Sequence, residues 1–233
     1  MTNGGFGRRQ ILAAATAVPA LALTGCAGGE KEVGAVEDLM REHGVLRRAF
    51  LVYQECALRL RRDVASVDAR AIHDTAKLFR SFGEDYHERK LEEAHIFPRV
   101  KQAGGPAAAL VDVLKQQHER GRAITDYIMS ATKSGAIGSG DAEPLAAAFA
   151  AFQIMYANHT AREDTIVFQA WRNALTAREL DEMSDKFEDI EKQTFGRDGF
   201  DDAVNRIGAI EQALGLSNIA QFTAPPPPAK TGQ

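Results

Sequence analysis

The pattern of apolar and polar residues along the body of this chain predicts helices. Strict alternation of apolar and polar residues, which marks a half-buried strand, is absent, and Ala, Leu, Glu, Arg and Lys dominate. The breaks in the pattern coincide with glycine and proline, which interrupt helices. The sequence therefore predicts an all-α protein.

Four helices follow from these breaks. The first comes after Gly28-Gly29 and runs to about Arg62, and a turn at residues 66–68 leads to a second that stops at Pro98 or soon after. The third starts at Gly104-Gly105-Pro106 and ends in the glycine-rich stretch 134–140, and the fourth runs from Asp141 to about Trp171. Their short connections favour antiparallel neighbours in an up-down-up-down bundle over residues 33–173.

Residues 174–216 predict a helical extension of the bundle. Thr176 and Glu179 have the spacing of a capping box and begin a helix that ends near Phe195-Gly196, and Phe200 to Gly215 form a last short helix. We expect both helices to cover the bundle. Residues 217–233 contain four consecutive prolines and predict a disordered, proline-rich tail.

The first 25 residues are typical of an export signal. Arg8-Arg9 precede an uncharged apolar stretch from Ile11 to Leu23, which is too short for a permanent transmembrane helix. The paired arginines resemble the twin-arginine signal, and Leu23-Thr24-Gly25-Cys26 resembles the bacterial lipobox, in which the cysteine is lipidated. This predicts an exported lipoprotein, periplasmic or at the cell surface, that a lipid on Cys26 anchors to a bacterial membrane.

Charge and cysteine content exclude several classes of function. The formal net charge is −4, and removal of residues 1–25 deletes two arginines and no acids, which gives −6. An acidic domain without a basic patch is not expected to bind nucleic acid. Beyond Cys26, Cys56 is the one remaining thiol, so neither an internal disulfide nor a zinc-finger spacing is present in the sequence.

The strongest chemical feature of the sequence is a motif that occurs twice. The segment from Leu39 to His43 is echoed by Leu114 to His118, and the segment from His87 to Phe97 is echoed by His159 to Phe168. Each copy holds a histidine on one helix and a histidine followed by acids on the next. A repeat of nitrogen and carboxylate donors on helices predicts a symmetric two-metal site inside the bundle.

Six residues are the predicted ligands: His43, His87, Glu92, His118, His159 and Glu163. His159 and Glu163 are four residues apart and share a helix face. His87 and Glu92 are five apart, and the extra residue predicts local π-helical geometry at residues 88–91. Further residues stay open as alternative ligands or as groups that orient the ligands: Glu88 and Glu93, which replace Glu92 if the helix is regular, and Asp164 and His95.

This donor set suits iron, with manganese or zinc as alternatives. Two octahedral ions have about twelve coordination positions, and six protein ligands with a bridging oxygen leave roughly two of them for a small external ligand. A site with fewer protein ligands than positions is typical of reactive rather than structural metal centres.

These residues resemble the hemerythrin-like domains over about residues 33–173, including the ending from Glu92 to Pro98. The resemblance implies a four-helix bundle with a non-haem di-iron centre, ligated by one His from the first and third helices and a His–acid pair from the second and fourth. Oxygen-carrying hemerythrins have a second His on the third helix, where this sequence has His118 alone. The set of four His and two Glu looks more like the bacterial di-iron branch linked to nitric oxide and iron–sulfur repair.

Three functions are consistent with this sequence. The first is a di-iron protein that binds O2, NO or peroxide for sensing, storage or scavenging. The second is an enzyme that reduces NO or peroxide with electrons from a redox partner protein. The third is a structural or adaptor lipoprotein. The intact set of six ligands favours the first function over the third.

Overall fold

The structure is a computed structural model that describes residues 33–228 of the chain. The predicted export signal at residues 1–25 and the predicted lipidation site Cys26 lie outside the described residues. Within this range no helix is long and apolar enough to cross a membrane.

Four helical rods form the bundle, and the all-α fold with additional C-terminal helices is confirmed. The first rod is α1, Ala35–Arg62. The second joins three segments end to end: α2 (Ala69–Leu78), π1 (Phe79–Ile96) and α3 (Phe97–Ala103). The third consists of α4 (Gly105–Ala108) and α5 (Val111–Thr132), and the fourth of α6 (Ala142–Arg162), π2 (Glu163–Val167) and α7 (Phe168–Asn173).

Two rods differ in detail from the sequence prediction. The third helix is interrupted at residues 109–110, where the Leu110 N–H bonds the Ala107 carbonyl at 3.1 Å in a tighter turn, so its long segment starts at Val111. The second rod continues past Pro98 to Ala103, and the proline lies at the junction of π1 and α3.

Aromatic rings fill the interior of the bundle on one side of the histidines. Phe50 meets Phe152 with ring centroids 4.9 Å apart, and Tyr53 stacks on Phe149 at 4.7 Å. The third rod fits closely against this group because Gly121 has no side chain: a Cβ there would lie 3.3 Å from the rings of Phe152 and Tyr156. Burial of these large side chains stabilises the bundle independently of any ligand.

The C-terminal helices α8 (Ala177–Phe195) and α9 (Gly199–Ala213) cover the first two rods, as the sequence predicted. The capping box of Thr176 and Glu179 is confirmed, and α8 ends at Gly196, whose φ of 70° is in the left-handed region that favours glycine. The Phe187 ring stacks on Trp171 of α7 with centroids 5.6 Å apart. The segment 217–233, expected to be a tail without regular structure, begins with a short 3-10 helix at Ile219–Phe222.

Two acids become partly buried where α8 packs on α1. Burial raises the pKa of Glu191 to about 7, and the neighbouring Glu42 and Asp198 carboxylates add to the effect, although the Phe200 N–H donates to Glu191 at 2.7 Å. Burial and Glu42 raise the pKa of Asp38 to about 6. Both charged forms therefore destabilise this contact.

Loss of the α8 cap should cost stability without affecting the interior of the bundle. Thr176→Ala removes the oxygen that accepts from the Glu179 N–H, and the free energy of unfolding should fall by about 1 kcal/mol. Thr176→Ser keeps an acceptor and is the matched control. Urea unfolding of both variants measures the difference, and equal stabilities would show that the cap contributes nothing.

The stability contributed by Glu191 should depend on pH. Its pKa is 4.5 in the unfolded chain and about 7 in the folded protein, so the folded state holds the extra proton and stability falls as pH rises through this window. Glu191→Gln should match the wild type at pH 4.5 and exceed it at pH 8 by up to about 1 kcal/mol, because solvent screens this half-buried group. The exposed Glu182→Gln on the same helix is the control for urea unfolding at both pH values.

Candidate metal centre

The structure brings the six predicted ligands together in the interior of the bundle, where each has at most 2% of its surface exposed. The four histidines form two pairs. The Nε2 atoms of His43 and His87 lie 3.0 Å apart, and those of His118 and His159 lie 3.1 Å apart. Two nitrogens bound at right angles to one ion, each at about 2.1 Å, would have a separation of about 3.0 Å. We name the His43–His87 pair position A and the His118–His159 pair position B.

Two carboxylates lie between these positions. One oxygen of Glu92 is 3.4 Å from His87 Nε2 and the other is 3.3 Å from His118 Nε2. Glu163 Oε2 lies 2.9 Å from His159 Nε2 and 3.6 Å from His43 Nε2, and its Oε1 lies 3.9 Å from His118 Nε2. Both glutamates therefore reach both positions, which is the arrangement of bridging ligands.

The other ring nitrogen of each histidine faces an oxygen. His43 Nδ1 lies 2.7 Å from Asp164, His118 Nδ1 lies 2.8 Å from Glu93, and His159 Nδ1 lies 2.9 Å from Gln117 Oε1. His87 Nδ1 pairs with Glu42, which also accepts from the Tyr86 hydroxyl at 2.9 Å. Because these oxygens accept, each Nδ1 donates, and loss of the proton from Nε2 would leave a lone pair there for a cation.

The interior therefore fits a pair of cations. Four imidazole Nε2 atoms face one another and the oxygens of two carboxylates at short distances, and their lone pairs would repel one another without a proton or a metal cation between them. The oxygens of Glu92 and Glu163 accept no hydrogen bond from any residue that the structure describes. Buried carboxylates without donors are costly, and coordination to a cation compensates that cost.

The pKa shifts follow from this crowding. Burial alone would raise the pKa of Glu92, but the His87 and His118 rings lower it well below its ordinary value. Burial and the adjacent Glu92 carboxylate raise the pKa of Glu163. Burial and His118 lower the pKa of His159 to about 3. The groups are thus strongly coupled, and each affects the charge that its neighbours can carry.

The π-helical segments aim the ligands at this interior. The predicted π geometry at residues 88–91 is confirmed, but π1 is much longer and spans Phe79–Ile96. A π turn holds more residues than an α turn, which brings His87 and Glu92 to one face despite their spacing of five. The segment π2 begins at Glu163 and was not predicted, because the spacing of four between His159 and Glu163 also suits an α-helix.

The four alternative residues have different positions. Asp164 and Glu93 face ring nitrogens, so they orient histidines. Glu88 is buried and accepts from Arg122 at 3.2 Å, and burial raises its pKa to about 8. Glu88, Glu93 and His118 could together hold an ion, but the Arg122 guanidinium pairs with both carboxylates. His95 is half-buried beside Phe187 of α8, with ring centroids 5.9 Å apart.

The sequence did not lead us to predict that Gln117 orients His159. The available signal was the repeat itself, because Gln117 precedes His118 as Glu42 precedes His43. A contact of Arg47 was not predicted either. Arg47 forms an ion pair with Asp164, the residue that faces His43 Nδ1, and so holds Asp164 in place.

Apolar side chains enclose the site. Phe97 stacks on His118 with centroids 5.5 Å apart, and Phe168 stacks on His43 at 5.4 Å, so the Phe of each repeat covers one position. A cavity of about 190 Å³ lies between α1 and α6 beside Leu46 and Tyr156, and its lining is almost entirely apolar. These contacts restrict water near the ligands.

Comparison with known proteins identifies the family of this chain. The chain is 41% identical over 234 aligned residues to uncharacterized proteins of Mycobacterium bovis and Mycobacterium tuberculosis, an alignment that covers 93% of this chain and 91% of each relative. No solved structure matches the chain significantly. Residues 34–171 match the family described as the hemerythrin HHE cation-binding domain. This match covers the four rods except the last two residues of α7 and includes all six converging residues, so the chain belongs to the hemerythrin HHE cation-binding family.

Proposed function

We propose that this protein is a non-haem di-iron protein that binds a small oxidant or gas, namely O2, NO or peroxide, for sensing, storage or scavenging. The observation that carries the proposal is the convergence of four Nε2 atoms and two carboxylates in a buried interior. Imidazole and carboxylate donors suit iron, while manganese and zinc remain chemical alternatives. A structural or adaptor function alone gives no reason to bury these groups together.

The number of donors supports binding of an external ligand. Position B is faced by two nitrogens and by oxygens of Glu92 and Glu163, and position A by two nitrogens and Glu92, with Glu163 Oε2 3.6 Å from His43 Nε2. Two octahedral ions held by these residues would have more coordination positions than the protein fills, which would leave room for a small ligand. A pair of iron ions would supply the attachment point and the electrons for such ligands. The chain supplies enclosure through Phe97 and Phe168, which admits a diatomic molecule or peroxide more readily than a large substrate.

The protein's own residues keep the histidines ready to bind. Asp164 and Glu42 hold the Nδ1 protons of position A, and Glu93 and Gln117 hold those of position B. Each ring therefore keeps a fixed tautomer and orientation. Arg47 and Arg122 pair with Asp164 and Glu93 and balance the negative charge next to the site.

Removal of one ligand should release metal while the fold persists. We expect about two irons per chain in the wild type, and one or fewer in His118→Ala and in His159→Ala. His95→Ala, on the same bundle but outside the converging set, should retain both ions. Metal analysis with circular dichroism measures both properties. Full iron content in either ligand variant would refute the site.

Ligand binding is measured on the same protein. The reduced form is exposed to air or to NO while near-ultraviolet and visible absorption are recorded, and a stoichiometric spectral change is expected. Continued consumption of NO or peroxide with an added electron donor would instead establish the reducing enzyme. A protein that contains no iron and shows no spectral response would support the adaptor function.

We also propose that the protein is exported and anchored by a lipid on Cys26, on the basis of the arginine pair, the uncharged apolar stretch and the residues before this cysteine. Cys26→Ser should move the protein from the membrane fraction to the soluble fraction, because one or two acyl chains provide the anchor. Fractionation followed by immunoblotting measures this change. Cys56→Ser, which alters a buried thiol, is the matched control, and membrane association that persists in Cys26→Ser would exclude the lipid anchor.

A further inference from the structure

We propose that Gln117 makes the two ion positions unequal, so that position A binds its ion more tightly than position B and is filled first. The inference rests on the proposed function, since it concerns the same two ions. It assigns to Gln117 the control of the order in which the two ions bind.

The outer partners of the two positions correspond pair by pair. Asp164 faces His43 as Glu93 faces His118, and both are carboxylates that follow a bridging glutamate in the sequence. Glu42 faces His87 as Gln117 faces His159, and both precede a ligand histidine. Glu42 and Gln117 differ in chemical type: the partner is a carboxylate at position A and a neutral amide at position B.

This change alters the strength of a ligand. A carboxylate that accepts the Nδ1 proton draws it away from the ring and makes Nε2 a better donor to a cation, whereas an amide oxygen does so less. His87 therefore has a stronger partner than His159. Changes to such outer partners commonly alter metal affinity by about 10- to 100-fold.

The cations beside the two positions differ in exposure. At position A the two carboxylate partners are opposed by Arg47, whose side chain is 48% exposed and screened by water. At position B, Glu93 faces His118 and the buried Glu88 lies 4.0 Å from the same ring nitrogen, and both carboxylates pair with Arg122, whose side chain is 6% exposed. The cation beside position B is therefore screened less by water and opposes a divalent ion there more strongly.

The carboxylate at position A is also fixed in place. Glu42 is 1% exposed and accepts from the Tyr86 hydroxyl at 2.9 Å, so its second oxygen is directed at His87. Gln117 is only partly buried. A buried carboxylate of this kind is retained at a cost that a cation at position A offsets.

The test is a titration of metal-depleted full-length protein with Co²⁺, followed by visible absorption. The wild type should load in two steps whose Kd values differ by about tenfold or more. Gln117→Glu should tighten the second step by about tenfold and leave the first unchanged. Glu42→Gln should weaken the first step. The double variant with Glu42→Gln and Gln117→Glu should again load in two separate steps.

Single-ligand variants assign the steps to positions. His43→Ala should abolish the tight step and His118→Ala the weak one. The control is Gln116→Glu, which adds the same charge one residue away at an exposed site and should leave both steps unchanged. Because the Gln117 side chain is partly exposed, we expect Gln117→Glu to fold normally. The test therefore does not depend on whether Glu42→Gln folds.

The outcomes separate the two proposals. Fewer than two ions per wild-type chain would overturn the proposed function and this inference with it. Two ions with equal affinities, or an equal response to Gln116→Glu and Gln117→Glu, would overturn the inference and leave the proposed function intact. A tight step that survives in His43→Ala but is lost in His118→Ala would reverse the assignment and also refute it.

Discussion

The convergence of lone pairs at the centre of the bundle constrains the rest of the structure. Four Nε2 atoms and two bridging carboxylates point at one another in an interior that water scarcely reaches. Such a group is stable only around positive charge. Each ring must also hold its proton on Nδ1, so every rod supplies an acceptor as well as a ligand. The buried Glu42, for example, is explained by its contact with His87.

The site combines two copies of one helix pair, and the copies differ in the residues that contact the histidines from outside. Ligands, bridging acids and stacked phenylalanines correspond closely between them. The differences lie in the outer contacts: Glu42 against Gln117, and the exposed Arg47 against the buried Arg122. A symmetric scaffold with unequal surroundings can give its two positions different intrinsic affinities for the same ion, whereas two identical positions have equal intrinsic affinities.

The bundle separates stability from metal chemistry. The aromatic group around Phe50 and Phe152 packs beyond the histidines, and α8 attaches through its own cap and through Phe187. The Phe50–Phe152 and Phe187–Trp171 contacts involve none of the six converging residues, and the aromatic group meets the site where Tyr156 packs on His159. The fold is therefore expected to tolerate changes at the six converging residues. The partly buried acids under α8 make the stability depend on pH through groups outside that set.

The sequence by itself determined the helices, the capping box of α8 and the six residues that converge, because each depends on local spacing and the repeat made the pattern visible. It also indicated π geometry after His87, since a spacing of five does not fit an α-helix. Only the tertiary structure decided that Glu92 and Glu163 each lie near a histidine of both positions and that Gln117 faces His159. Those contacts join rods that are distant along the chain, and the packing of the rods, which local spacing does not encode, sets which atoms meet.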